Sequence, residues 1–590
     1  MSLSTQTGIP IAPSLPHLPE KKNAVNTRSS KRRLLQISFL SIAVAFIISL
    51  IARFLVLLID LVTNICFYGS FDIGFRSPAD NQLGLFVIFL PAIGGIVVGL
   101  MALFGSKAIR GHGIPEAMEQ VLTNQSRIKP AIAILKPLSS AIAIGSGGPF
   151  GAEGPIIATG GALGSTIGQL FKITPNERKV ILAAGATAGM SAIFGTPIAA
   201  VFLAIELLLF EFSPKAILPV ALACITGAAG HQLLFEAGPV FPMPDLKSPT
   251  NLALGIYSVI GIAIGFISLG LTKIVYWIED TFEKLPVHWM WWPAIGGLAV
   301  GVIGYFAPHT LGVGYDNITS MLSGHVPLTL MLSLCFFKFL SWAIALGSGT
   351  SGGTLAPLLT IGGAAGAIFG TLILILFPDS GINIPMAALI GMSSMFAGAS
   401  RAYLTSITFA LEATMQSHAL LPLLGACTAA YLVSYFFMEN TIMTEKIARR
   451  GVYTPDAYEP DILRRITVGE VMGKGLNVTN KDKAFNNLID SNLPMINETD
   501  PLSKAVELLA SGGEQYLSVS AFTDPGKIIG LLSYNDVLHA YRLYHQENQE
   551  AGVNLSLRRG RIKMMIKSRK ILEKTKTQFH SMSNTNEDFK

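Results

Sequence analysis

The charged residues of this chain avoid its middle. Of 43 Lys+Arg and 37 Asp+Glu among 590 residues, 7 fall in residues 1–33 and 39 in residues 441–590, leaving 34 for the 407 residues between. About 8% charge over so long a stretch excludes an ordinary soluble fold, in which roughly a quarter of residues are charged. It fits a bilayer, where a charge at the centre costs several kcal/mol. The net charge of +6 sits at the ends. Lys21, Lys22, Arg28, Lys31, Arg32 and Arg33 mark residues 1–33 as a disordered cytoplasmic lead-in under the positive-inside rule. No basic patch interleaved with aromatics points to nucleic acid. Cys66, Cys224, Cys335 and Cys427 stand singly in apolar segments, which supports neither a disulfide framework nor a metal site.

Apolar segments recur from Leu34 to Met438. A perpendicular crossing takes about 20 residues; several of these segments are shorter and others are longer. The expected domain is therefore an all-α, polytopic bundle of tilted helices and helices that stop partway. Its glycines cluster, which lets backbones pack closely and breaks helices where the chain lines a cavity. Residues 145–168 (GSGGPFGAEGPIIATGGALGSTIG) align without a gap on residues 347–370 (GSGTSGGTLAPLLTIGGAAGAIFG), with 10 of 24 positions identical. Ala204-Ile205-Glu206 and Ala410-Leu411-Glu412 match farther on. The domain at 34–440 thus reads as two repeats, about 34–235 and 250–440. Broken helices at corresponding places of two repeats point to a transport site between the halves.

In Gly151-Ala152-Glu153-Gly154-Pro155 a glycine-rich loop runs into an apolar helix, with Pro155 in the first turn. Such a start exposes backbone N–H groups and carries roughly half a positive charge, so it attracts an anion without Lys or Arg. Gly353-Thr354-Leu355-Ala356-Pro357 repeats the device, and Gly111-His112-Gly113-Ile114-Pro115 supplies a third turn. Glu153 breaks the symmetry, because its counterpart is Leu355. A carboxylate in apolar surroundings is functional by default. At an anion-attracting helix start it competes with the anion for the same amides, and protonation removes that competition. Glu153 is therefore a gate sensitive to pH and anion concentration, or one station of a proton path.

These three motifs, in this order on a repeated membrane domain with a charged tail, resemble the CLC family of chloride channels and proton/chloride exchangers. The resemblance covers about residues 34–451. It implies two inverted repeats, a homodimer with one anion pore per subunit, and cytoplasmic termini. It assigns gating to Glu153. It assigns anion binding to the turns around His112, Gly113, Ile114, Ala152, Gly154, Thr354 and Leu355, and to Met443. Several of these depart from the family pattern. His112 stands where many members have a coordinating serine, Leu355 where the third motif usually has phenylalanine, and Met443 where the pore tyrosine is found. An imidazole N–H at His112 replaces one lost hydroxyl, with a charge that depends on pH. Met443 contributes shape, since a thioether is a weak acceptor. Exchangers usually carry a proton-transfer glutamate directly after a helical glutamate; here Glu206 is followed by Leu207. Glu211, one turn on, reads as a solvated helix-end carboxylate, and the symmetric Glu206 and Glu412 read as structural.

Residues 441–465, with Pro455 and Pro460, read as a linker. Residues 466–545 are similar to a CBS domain, a small α/β cytoplasmic module that can sense nucleotides. The signature is Gly530-Leu531-Leu532-Ser533-Tyr534-Asn535-Asp536, where Ser533 and Asp536 would hold the ribose of an adenine nucleotide. Val468–Asn492 looks like a shortened companion copy. Residues 546–590 form a basic cytoplasmic tail. With no nucleophile–base set and no phosphate loop, an enzyme is not expected, and no resident cofactor is implied. The expected function is chloride transport across a bilayer, as a channel or uncoupled conductor gated by Glu153, in a bacterial inner membrane. The alternatives are a proton/chloride antiporter with a substitute internal proton path, a fluoride-selective relative, and a nucleotide-sensing membrane protein.

Overall fold

A computed structural model describes residues 24–551, apart from 172, 236–237, 247, 325, 453, 455–462, 464–465, 473–492, 513–514 and 522–527. The companion copy expected at 468–492 lies outside these beyond residue 472, as do the basic tail from residue 552 and the lead-in before residue 24. The chain forms two compact units, Met1–Asp456 and Ala457–Lys590.

The first unit repeats one order of helices twice. The first half runs α1 (Ala24–Thr63), α2 (Leu90–Phe104), α3 (Ile114–Thr123), α4 (Ile132–Gly145), α5 (Glu153–Leu170), α6 (Pro175–Phe194), α7 (Pro197–Leu203, closing in a π-helical turn to Leu209) and α8 (Pro214–Leu234). The second runs α9 (Asn251–Glu283), α10 (Trp292–Phe306), α11 (Tyr315–Ser323), α12 (Leu328–Gly347), α13 (Leu355–Leu376), α14 (Ile384–Ser400), α15 (Tyr403–Thr414) and α16 (Leu420–Phe437). The short α17 (Glu445–Ala448) follows. Within the two halves, lengths range from 40 residues in α1 to 7 in α7, so crossing and broken helices coexist as expected. Eight helices among the described residues are long and apolar enough to cross a bilayer.

The two halves are inverted copies that interlock. α2 crosses α10 so closely that a Cβ on Gly95 would overlap the Pro293 carbonyl, and one on Gly297 would overlap that of Pro91. Helix starts are fixed by local chemistry. Thr174 and Glu177 form a capping box at α6 behind Pro175, and Asn383 caps α14 behind Ile384-Pro385. α7 and α15 use the opposite half instead. Glu412 accepts from the N–H groups of Ile198 (3.0 Å) and Ala199 (2.8 Å) at the start of α7. Glu206 accepts from the N–H groups of Leu404 (2.8 Å) and Thr405 (3.0 Å) at the start of α15. Each carboxylate thus satisfies donors that a helix start leaves unpaired.

Two of the expected boundaries move. The described chain is already helical from Ala24, within the expected disordered lead-in. Residues 24–33 contain neither glycine nor proline, and Arg33 is anchored to Glu177 (2.6 Å). The expected linker at 441–465 is in its first part core: Ile442, Met443 and Ile447 are buried in the first unit, whose boundary falls at Asp456.

The second unit holds β1 (Met495–Asn497), β2 (Tyr516–Ser520) and β3 (Ile528–Ser533) in the order β1-β2-β3. β1 pairs parallel to β2 through the crossover helix Leu502–Gly512, and β2 pairs antiparallel to β3. Val468, Ile496, Leu502, Leu509, Leu517, Val519 and Leu532 form its core, giving the small α/β module expected.

Candidate functional site

The three glycine turns meet at one point. A Cβ on Gly113 would overlap the Gly154 carbonyl oxygen, and one on Gly154 would overlap the His112 carbonyl and stand 2.7 Å from Gly353 Cα. Only glycine permits that approach. Gly151 and Gly353 also pair as a two-residue antiparallel bridge, Gly353 N–H to Gly151 carbonyl at 3.1 Å and the reverse at 3.4 Å. The starts of α3, α5 and α13 therefore converge from both halves. Pro155 and Pro357 carry no N–H, and the first i→i−4 bonds are made by Ile156 to Ala152 and by Leu358 to Thr354. The amides just ahead of them are left facing the junction.

The turns are held from behind by a pair of buried ammonium groups. Lys136 Nζ donates to the carbonyls of Ile109 (2.8 Å) and Gly111 (2.7 Å). Lys338 Nζ donates to those of Thr310 (3.0 Å) and Gly312 (2.7 Å), the same device in the other half. Glu116 accepts from the Gly113 N–H (2.7 Å) and from Lys446 (3.0 Å), which ties the segment carrying Met443 to the His112 turn.

At the junction, Glu153 is fully buried and neither carboxyl oxygen makes a complete hydrogen bond. The donors beside it are its own N–H, the Ala356 N–H from the other half, and the Tyr315 hydroxyl. The Thr354 hydroxyl, the His112 Nδ1 and the Tyr315 hydroxyl are likewise buried without partners. Buried polar atoms are nearly always hydrogen-bonded, so the unpartnered Thr354 and Tyr315 hydroxyls, together with the amides of the helix starts, make the junction a place where an anion can find donors. A carboxylate can occupy that place when ionised and vacate it when protonated.

The other candidates are distributed as follows. Ile114, Ala152, Gly154, Thr354 and Leu355 are all buried at or beside the turns. His112 lines a cavity of about 920 Å³ with Arg110, Glu116, Lys136 and Lys446. Met443 is fully buried, with its N–H held by the Thr441 hydroxyl (3.2 Å), and its thioether adds no donor. Leu207 is buried in the π-helical end of α7. Glu206 is engaged at α15, and Glu211 pairs with Lys179 (3.3 Å) and Ser213 (3.2 Å) at a half-exposed position. Ser533 and Asp536 bond each other: the Ser533 N–H and hydroxyl donate to Asp536 Oδ2 (2.9 and 2.8 Å), and the Asp536 N–H returns to the hydroxyl (3.3 Å). This is a reciprocal cap for the helix Tyr534–Ala551, a structural use of the pair expected to hold a ribose. Tyr315 is the residue that sequence reading missed. Its signal was a second G-x-G turn, Gly312-Val313-Gly314-Tyr315, in register with Gly111-His112-Gly113-Ile114.

Residues 93–435 match the family described as voltage gated chloride channel. The chain is 30% identical over 369 residues to the chloride channel protein CLC-e of Arabidopsis thaliana, covering 58% of this chain and 51% of that protein. It is 29% identical over 350 residues to the H(+)/Cl(-) exchange transporter ClcA of Yersinia pestis, covering 58% of this chain and 72% of that one. The chain spans about half the length of the plant relatives it matches. Among solved structures, a slow cyanobacterial Cl-/H+ antiporter superposes with a TM-score of 0.62 at 22% identity, over 70% of this chain and 98% of that one. A CLC-type fluoride/proton antiporter superposes with a TM-score of 0.56 at 20% identity, over 68% and 95%.

Proposed function

The chain belongs to the voltage-gated chloride channel family, a multi-pass membrane protein, and on that premise we propose that it carries chloride through the junction of α3, α5 and α13, gated by Glu153. The observation that carries this reading is the buried, unpartnered Glu153 carboxyl beside amides from both halves. Chloride replaces the carboxylate at those amides: both are anions, and backbone donors at helix starts accept either. Protonation of Glu153 removes its claim on the site and opens the path.

Within this reading we favour conduction without proton coupling. An exchanger needs an internal acid–base group, and Leu207 cannot relay protons. The neighbouring Glu206 caps α15, and Glu211 is paired with Lys179. A second reading, proton/chloride exchange, is supported by relatives named as exchange transporters and antiporters, together with the presence of Glu153. The homodimer and the cytoplasmic termini implied by the resemblance, and a bacterial inner membrane suggested by the short loops, belong to the same proposal. The second unit is read as a folded support rather than a nucleotide site, because Ser533 and Asp536 cap a helix.

Reconstitution in liposomes with a chloride gradient tests both readings. Chloride flux without proton movement is expected. Uphill proton movement driven by chloride would sink the channel reading and establish exchange. The absence of any chloride flux would remove the function itself, and the same assay with fluoride reports selectivity.

A further inference from the structure

Tyr315 opens α11 directly after Gly314, which turns through a φ of 81°. Its ring is set in an aromatic cage, edge-on to Phe194 at 5.7 Å and to Phe241 at 5.9 Å. The turn before it is pinned by Lys338 through the Gly312 carbonyl. The side chain is thus fixed, and its hydroxyl is aimed at a defined place. That hydroxyl is buried and makes no hydrogen bond, and the polar groups that act on it are the Glu153 carboxyl and the backbone at Ala152.

Tyr315 also borders a second cavity, of about 510 Å³, together with Ala152, Val313 and Gly314. Glu153 does not line this cavity. The tyrosine and the Ala152 turn therefore stand between the open space and the carboxylate. His112 lines the cavity of about 920 Å³, so His112 and Tyr315 border different cavities, one on each side of the glycine turns.

We infer that Tyr315 is a further positioning and anion-contacting residue of this path: its hydroxyl donates to the ionised Glu153 carboxylate in the closed state and to the anion that replaces it in the open state. The inference rests on Glu153 being the gate. A phenol suits both tasks, since it offers one O–H donor and stays neutral in the physiological range. It restores to the second half a hydroxyl near the anion, where His112 and Met443 supply none. Donation to the charged form of a carboxylate favours that form. In the closed state Tyr315 therefore holds the ionised gate in place at the helix starts.

Other groups face this point. From α1 come Arg53 and Asp60, from α8 His231, and from the loops Arg76 and His309, all on the cavity wall. Asp316 follows Tyr315 on α11, and Lys338 on α12 is committed to two carbonyls. From α3 and α4, Glu116 and Lys136 are engaged at the His112 turn. α5 brings Glu153 alone among charged residues, and α13 brings none.

The test uses the full chain in liposomes, with Tyr315→Phe, Glu153→Gln and the double variant, scored for chloride flux against pH and for chloride binding by calorimetry. Phenylalanine keeps the ring in its cage and removes only the hydroxyl. Tyr315→Phe is expected to move the half-activation point up by about one pH unit, a roughly tenfold change in the protonation equilibrium. In the Glu153→Gln background it is expected to leave the flat pH profile flat and to weaken chloride binding about three- to tenfold. If Glu153→Gln alters flux while Tyr315→Phe matches wild type in both profile and chloride affinity, the role of Tyr315 is overturned and the gate stands. A uniform loss of flux with an unmoved profile would also overturn it, since that is what a packing role gives. A profile shift that persists in the double variant would assign the effect to His231, Asp316 or another wall group. If Glu153→Gln changes neither flux nor pH response, the gate and this inference both fall.

Discussion

The first half of the membrane unit and the second are built with the same devices and differ where the chemistry is. Lys136 and Lys338 each hold two carbonyls of a preceding turn. Glu206 and Glu412 each cap a helix of the other half. Gly95 and Gly297 each meet the backbone of the opposite crossing helix. Among the positions that differ at the junction, three change the chemistry most: Glu153 against Leu355, His112 against Val313, and Tyr315 against Ile114. Apolar positions drift freely between the halves, and 14 of the 24 aligned positions differ, so it is the placing of a carboxylate, an imidazole and a phenol, each on one half only, that draws attention to the junction.

The largest expected effect comes from removing an asymmetry. Glu153→Gln should raise chloride flux about tenfold or more near neutral pH. Wild-type flux should climb as pH falls through the protonation of Glu153, whereas the variant should show no such climb. Flux recordings from acid to neutral pH check both, and an unchanged pH response would place the gate elsewhere. Next come changes to a shared device. Lys136→Met and Lys338→Met each strand two buried carbonyls and should each destabilise the unit by about 3 kcal/mol. Thermal unfolding in detergent should show matched losses, and a clear mismatch would mean that the two lysines are not equivalent supports. Glu206→Gln and Glu412→Gln each weaken a charge-assisted cap and should cost about 2 kcal/mol. The two losses should again agree, and proton flux should be unaltered in Glu206→Gln if that residue is structural. The smallest effects are at local caps: Thr174→Ala and Asn383→Ala should cost about 1 kcal/mol each. The same unfolding assay reads them, and a loss at Asn383 well above that at Thr174 would show that α14 relies on its cap more than α6 does.

The repeats, the broken helices, the three glycine turns and the singularity of Glu153 were legible in the sequence because they are written in residue type and spacing. Glycine clusters mark where backbones touch, and an isolated carboxylate in an apolar run stands out on energetic grounds. For Tyr315 the sequence carries only the weak signal of a second G-x-G turn, because an aromatic next to a glycine in a membrane segment looks like packing. Only the fold shows that its hydroxyl, and not its ring, lacks a partner. The roles of Lys136 and Lys338 were hidden for a related reason. Their partners are carbonyl oxygens of turns about 25 residues upstream, and every residue type carries a carbonyl. By charge and proline content the segment around Met443 reads as linker, and only the family resemblance places Met443 in the pore. Its burial depends on three apolar residues, Ile442, Met443 and Ile447, too few to leave a periodic signal. Ser533 and Asp536 fit a ligand motif and a helix cap equally well on paper, since both need a hydroxyl and a carboxylate three residues apart.

The exchange of caps between Glu206 and Glu412 also sets an order of events at the ribosome. The start of α7 at Ile198 and Ala199 is completed by a carboxylate that lies 214 and 213 residues later in the chain. At a synthesis rate of roughly 5–20 residues per second, the first half waits on the order of 10 s or more for the group that finishes it. The start of α7 therefore stays without its carboxylate until α15 of the second half has been made. A chain cut between α8 and α9 would yield two fragments, each missing the other's caps.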